Sequence, residues 1–317
     1  MRLLPRRRAT RVLAGAAVAI VLALCADVAV VAGRIDTWPV TLPRADDGVD
    51  TWVIVGSDSR THLPTDADPA HYGTPAQVGG ERADLVVIVT VRGDRARAVS
   101  VPRDLLVSDD GYPVRLALTL QNGPQHLVDA LCTTLGVPAD HLVGLHFDGF
   151  VSIVDAVGGV DVRIPHPLRD ELSGLDLPTA GPQTLDGAAA LALVRSRSAE
   201  RLIDGVWQPA GSGADDRASW GAVVLDALLK KIDEDRYDPA ALQRIGWAAS
   251  GALRTDGGTG LLDLAGLAVR RPSVTELPHG APAAPAPPGA ALPLPPDERT
   301  TAALVGLGLG SGCAPDR

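Results

Sequence analysis

Four sets of charged residues stand where apolar runs begin or end, and their types suit a phosphate-bearing anion. Asp58 and Arg60 follow the run Thr51–Val55. Arg82 and Asp84 precede Leu85–Val91, and Arg103 and Asp104 follow Ala96–Val101 across Pro102. Arg195 and Arg197 close the run that continues from Ala192. Arginine presents a rigid fork of donors that matches phosphate oxygens in pairs. Carboxylates among such forks balance their charge and suit Mg²⁺, which takes one or two carboxylates together with substrate phosphates. Pyrophosphate is the natural polyanion for such a set. The chemistry would be displacement at phosphorus, where positioning and charge neutralisation dominate. A single Arg-x-Asp at a strand end is ordinarily a surface ion pair. The scarcity of lysine, only Lys230 and Lys231, reads as compositional bias. Recurrence at the ends of four apolar runs is what points to a site.

The elements that must position these residues are partly readable. Leu85–Val91, the turn Arg92-Gly93-Asp94-Arg95 and Ala96–Val101 form a β-hairpin pattern. The entrance of its first strand and the exit of its second are neighbours in an antiparallel pair. Arg82/Asp84 and Arg103/Asp104 should therefore meet at one edge. The i, i+2 spacing of Arg82 and Asp84 puts both on one strand face. Helical spacing predicts helices over 123–135, 217–232 and 239–253, shorter ones over 150–157 and 186–192, and a closing one over 300–309. Strands are predicted over 51–55, 142–147 and 160–164, and an extended stretch over 278–296. Alternation of strands and helices, with a hairpin among them, implies an α/β domain whose sheet is not purely parallel.

The N-terminus carries Arg2, Arg6, Arg7, Arg8 and Arg11 before the apolar stretch Val12–Gly33. As a helix those residues would extend about 33 Å, enough for a bilayer core. Charge on the leading side puts the N-terminus inside. The expected organisation is a cytoplasmic tail 1–11, a transmembrane anchor 12–33, a linker 34–50 and one extracytoplasmic domain 51–310. A cleaved signal peptide is the competing reading. A lipoprotein signal ending at Cys25 would place Leu24 where a small residue is expected. Outside the membrane, Cys132 and Cys313 either form one bridge or stay free. The net charge of −9 argues against a nucleic-acid partner. The seven histidines show no metal-like spacing. No nucleophile elbow, Walker loop or dinucleotide fingerprint is present.

These residues resemble the motifs of the LytR–CpsA–Psr family. Gly56-Ser57-Asp58-Ser59-Arg60 is similar to its G-x-D-x-R, Arg82-Ala83-Asp84 to its R-x-D, and Val101-Pro102-Arg103-Asp104 to its I-P-R-D. Phe147-Asp148-Gly149-Phe150, the stretch Val154–Val162, Gly181–Gly187 and Arg195-Ser196-Arg197 complete the pattern in order. Coverage runs from about 50 to 232 and is weaker to 310. The resemblance implies a three-layer α-β-α fold with a mixed central sheet and an apolar channel for a polyprenyl chain. It implies transfer of a glycopolymer from a polyprenyl-pyrophosphate carrier to peptidoglycan, at the membrane. Arg60, Arg82, Arg103, Arg195, Arg197 and Arg217 would bind the pyrophosphate. Arg82, Arg103, Arg195 and Arg197 would be catalytic, and Asp58, Asp84 and Asp104 would hold Mg²⁺. Two stretches depart from the pattern. Arg217-Ala218-Ser219-Trp220-Gly221-Ala222 lacks the second arginine and both glutamines of R-x-x-R-Q-Q. Arg115-Leu116-Ala117-Leu118 stands where K-I-N-A is expected. The alternative is therefore a non-catalytic lipid-binding or envelope-organising protein with a degenerate site. A transcriptional attenuator, a label attached to the family, is disfavoured by the anchor and the acidic balance.

Overall fold

The computed structural model describes residues 25–45, 48–59, 63–64, 68–72, 80–196, 198–210, 214–270, 272–282 and 292–310, with Leu22 and Cys313. Along the chain the strands are β1 (Asp36–Thr37), β2 (Asp50–Ser57), β3 (Ala83–Arg92), β4 (Arg95–Val101), β5 (Leu106–Asp109), β6 (Tyr112–Arg115) and β7 (His141–Leu145). Then follow β8 (Val160–Ile164), β9 (Leu168–Asp170), β10 (Leu175–Leu177), β11 (Gly181–Leu185), β12 (Glu200–Ile203), β13 (Val206–Pro209), β14 (Leu253–Thr255) and β15 (Val274–Glu276). The longer helices are α1 (Pro124–Leu135), α2 (Phe147–Ala156), α3 (Gly187–Arg195), α4 (Ala214–Glu234), α5 (Pro239–Ala252), α6 (Leu261–Ala268) and α7 (Glu298–Gly306).

Seven strands form a mixed central sheet in the order β1-β14-β7-β2-β3-β4-β15. β2 runs antiparallel to β3 and parallel to β7, and β3 pairs antiparallel with β4. Both faces are covered. Val53, Val55, Val86, Ile88, Val99 and Val101 meet Leu127 and Leu131 of α1 and Leu304 of α7. On the other face Trp52, Val87, Val89 and Ala98 meet Leu264 and Leu267 of α6. Burial on both faces is why β2 and β3 read as unbroken apolar runs rather than alternating ones. A second core lies among α2, α3, α4 and α5 and the β8–β11 pair, with Val154, Val160, Leu193 and Val224 at its centre.

Sequence and structure differ in instructive places. The expected linker 34–50 contains β1, which pairs in parallel with β14, and Trp38, which is buried over Gly144. An indole that large gains more from the core than from water. α2 starts at Phe147 rather than 150, because extended His146 already leaves the strand there. The helix expected over 186–192 runs on to Arg195 and ends at Ser196. The expected anchor 12–33 lies largely outside the described residues. Its end, Cys25–Ala32, is helical, with Val31 buried and the Asp27 carboxylate accepting from Gln243 on α5. Among the described residues no helix is long and apolar enough to cross a membrane.

The approach of α3 to α2 depends on a glycine. Gly187 donates its N–H to Asp155 Oδ1 at 2.8 Å, and a Cβ there would overlap the Val151 carbonyl. Backbone cannot yield as a side-chain tip can. Gly187→Ala is expected to destabilise the fold by about 1–3 kcal/mol through overpacking, read as a lower urea midpoint with an unchanged m-value.

Candidate functional site

The expected hairpin edge exists. β3 begins at Ala83, β4 ends at Val101, and Val86 pairs with Val101. This register brings the Arg103 guanidinium onto the Asp84 carboxylate through Nη1 and Oδ1. Arg103 Nε also lies 3.9 Å from Asp104 Oδ1. The guanidinium thus sits between two carboxylates, all three side chains largely buried. β2 ends beside this edge, since Ser57 pairs with Ala83. Asp58, only 3 % exposed, exchanges backbone contacts with Arg82. Its N–H donates to the Arg82 carbonyl at 3.0 Å, and its Oδ1 accepts the Arg82 N–H at 2.8 Å. The Arg82 side chain keeps a buried Nε that makes no hydrogen bond among the described residues. Such an orphan N–H is costly without an acceptor.

Arg195 comes from a distant part of the chain, and among the described residues its contacts are with His71, Tyr72 and Phe147 rather than with the hairpin edge. It closes α3, donates Nη2–H to the His71 carbonyl at 3.0 Å, and stacks over the Tyr72 ring. Arg60 and Arg197 lie outside the described residues. Arg217 is on α4, and its side chain is outside the description.

Three partners were not legible in the sequence. Arg115 Nη1 lies 3.4 Å from Asp104 Oδ1, so the arginine standing in place of the pattern's lysine still reaches the edge. Buried Asp170 accepts from Ser196 Oγ at 2.7 Å and the Ser198 N–H at 2.9 Å. These bonds compete with helix continuation beyond Arg195. His146 is buried beside Glu81, Nδ1 to Oε1 at 3.4 Å, where β7 leaves the sheet. No sequence signal marks the Asp170 contacts to Ser196 and Ser198, because they span more than twenty residues.

Asp58, Asp84 and Asp104 do not form a ready three-carboxylate cage. Among the described residues the group whose ligand atoms lie within 4.8 Å of one another is Asp109, Asp110 and His126, which could hold a metal ion. It was missed in the sequence because β5, its turn and α1 bring it together only in three dimensions. It stands at the far end of β5, on the order of 15 Å along the strand from Asp104. His126 Nδ1 lies 2.7 Å from Asp109 Oδ1. That hydrogen bond, opposed by desolvation and aided by the charges of Asp109, Asp110 and Asp129, raises the His126 pKa above its ordinary value. A raised folded-state pKa gives stability that is full below the unfolded value and is lost as pH rises through the folded one. His126→Gln should therefore cost less than about 1 kcal/mol at pH 5.5, given the solvent screening. The difference from wild type should shrink in unfolding curves at pH 8.5.

Comparisons with known proteins bear on the family and the fold. Residues 36–235 match the LytR_cpsA_psr family. The chain is 36% identical over 169 residues to the probable cell wall biosynthesis protein LcpB of Corynebacterium glutamicum, covering 52% of this chain and 40% of that protein. It is 29% identical over 173 residues to the polyisoprenyl-teichoic acid–peptidoglycan teichoic acid transferase TagV of Bacillus subtilis, covering 51% and 41%. These alignments span less than half the length of the curated relatives. Among solved structures, a LytR-Csp2A-Psr enzyme from Actinomyces oris superposes with a TM-score of 0.72 at 32% identity, covering 89% of this chain and 98% of that one. A mixed sheet flanked by helices and the match over 36–235 lead to one assignment: the chain belongs to the LytR_cpsA_psr family.

Proposed function

We propose that the protein transfers a glycopolymer from a polyprenyl-pyrophosphate carrier to peptidoglycan. The observation that carries this is the Arg103 guanidinium set between Asp84 and Asp104 at the edge where Asp58 clasps Arg82. An acceptor hydroxyl of peptidoglycan attacks the phosphorus that bears the glycopolymer. The new P–O bond forms as the bridging P–O bond of the pyrophosphate breaks. Polyprenyl phosphate leaves, and the hydroxyl proton is lost to solvent or a nearby carboxylate. Arg82, Arg103 and Arg195, with Arg60, Arg197 and Arg217, would hold the phosphate oxygens and neutralise the charge that grows on them. Asp58, Asp84 and Asp104 offer hard oxygen donors, and two of them with phosphate oxygens suffice for Mg²⁺. Bound there, Mg²⁺ would neutralise the phosphate oxygens and the leaving group. The names of relatives such as TagV support the substrate class.

The proposal includes a membrane location, with residues 12–33 as the anchor and the domain outside the cytoplasm. The basic flank before Val12 and the Cys132–Cys313 bridge, which persists in an oxidising compartment, both favour it. An apolar channel for the prenyl chain belongs to the same proposal.

The altered stretch 217–222 favours a second reading, in which the site binds lipid pyrophosphate without turning it over. Phosphate release from farnesyl pyrophosphate by the full chain, with and without Mg²⁺, separates the two. Release that needs Mg²⁺ supports transferase chemistry. Saturable binding with no release supports the second reading, and neither binding nor release overturns both.

A further inference from the structure

We propose that Tyr72, on the helical turn Pro69–Tyr72, is a positioning residue that orients the Arg195 guanidinium. The proposal rests on Arg195 belonging to the phosphate grip.

The turn touches Arg195 in two ways. The Arg195 Cζ lies 4.2 Å from the Tyr72 ring centroid and 5.0 Å from that of Phe147. Both are within the roughly 6 Å over which a ring face attracts a cation. The carbonyl of the preceding residue, His71, accepts Nη2–H at 3.0 Å. A ring within cation–π distance and an acceptor for one N–H restrain the guanidinium from two sides. Tyr72 and Phe147 brace each other edge to face, with centroids 5.9 Å apart.

The turn is seated rather than loosely laid. Tyr72 is buried with Phe147 and Leu191, and Phe150 and Val151 pack around them. The Asp68 carbonyl accepts the N–H groups of His71 and Tyr72. The His71 ring packs on Gly174, where a Cβ would come within 2.7 Å of it. The clamp thus joins the connection between β2 and β3, the start of α2 and the end of α3.

Composition sharpens the point. The chain has two phenylalanines and three tyrosines. Both phenylalanines and Tyr72 belong to this one cluster. Elsewhere the buried core is mostly valine, leucine, isoleucine and alanine, with Trp38 and Trp52 as its other large rings. An aliphatic side chain would fill the space here as well, but it has no ring face for a guanidinium. An arginine held in one orientation can offer its fork to phosphate oxygens without first losing rotational freedom.

The test uses the full chain with farnesyl pyrophosphate and Mg²⁺, reading phosphate release. Tyr72→Leu, which keeps bulk and removes the ring, is expected to lower kcat about tenfold with KM little changed and Tm within a few degrees of wild type. Tyr72→Phe should restore most of that kcat. In an Arg195→Lys background, already slowed, Tyr72→Leu should add little further loss. Phe147→Leu, which removes the second ring, should slow release in the same direction and serves if Tyr72→Leu does not fold. Wild-type kcat in Tyr72→Leu, or equal losses in both Arg195 backgrounds, overturns the clamp. Wild-type kcat in Arg195→Lys and Arg195→Ala overturns the phosphate-grip reading itself.

Discussion

Arg103→Ala is expected to lower phosphoryl transfer about 10²–10³-fold while the chain stays folded. Arg103 is in contact with Asp84 and close to Asp104, and its side chain is 17% exposed. Under the proposed function its loss removes donors that would neutralise growing phosphate charge. It also takes from Asp84 and Asp104 the guanidinium they share, and under the proposed function their negative charge would then act against an anionic substrate as well. Stability should fall less than function. Asp104 keeps Arg115, and Asp84 retains some access to water. Arg103→Lys should recover only part of the rate, because a point charge cannot bridge two oxygens as the fork does. The measurement is kcat for phosphate release from farnesyl pyrophosphate with Mg²⁺, beside a thermal melt. An Arg103→Ala rate equal to wild type would remove this edge from the site.

The second large effect concerns the cross-link between Cys132 on α1 and Cys313 beyond α7. The bridge closes a loop across a sequence separation of 181 residues with a Cα–Cα distance of 5.3 Å. Chain entropy for a loop of that length predicts a contribution of about 5 kcal/mol, and native bridges more often deliver about 2–4. The neighbourhood favours a high value. Gly310 donates its N–H to the Gly136 carbonyl, and left-handed Gly136 lies against Gly310 with no room for a side chain between them. The tail is thereby fixed to the helix that covers one face of the sheet. Cys313→Ser should lower stability by about 3 kcal/mol, a Tm drop of roughly 10 °C. Cys313 is preferred to Cys132 for this test because Cys132 is buried and a serine there would add a desolvation cost of its own. Calorimetry with and without reductant checks it. Reductant should lower the wild-type Tm and leave the variant unmoved. An equal Tm for variant and wild type would show that the tail contributes nothing to stability.

Some of this was determined by the sequence alone. The hairpin carrying Arg82, Asp84, Arg103 and Asp104 was legible because a two-strand pair with a short turn has one register. Its ends must meet whatever the rest of the chain does. The order of short motifs was legible for a similar local reason: each motif closes its own apolar run. Strand β8 and the helices around 124–135 and 239–252 followed from periodicity and from Gly and Pro stops. The tertiary structure decided everything that joins distant segments. Tyr72 under Arg195, Asp170 holding Ser196 and Ser198, His126 against Asp109 and the pairing of Cys132 with Cys313 leave no periodic trace. Such contacts form only after helices and sheet have packed. Their partners are set by where buried surfaces meet, and spacing along the chain does not encode that. The charge pairs at the hairpin edge are thus a property of local chain geometry. The orientation of Arg195 beside Tyr72 is a property of the packed core.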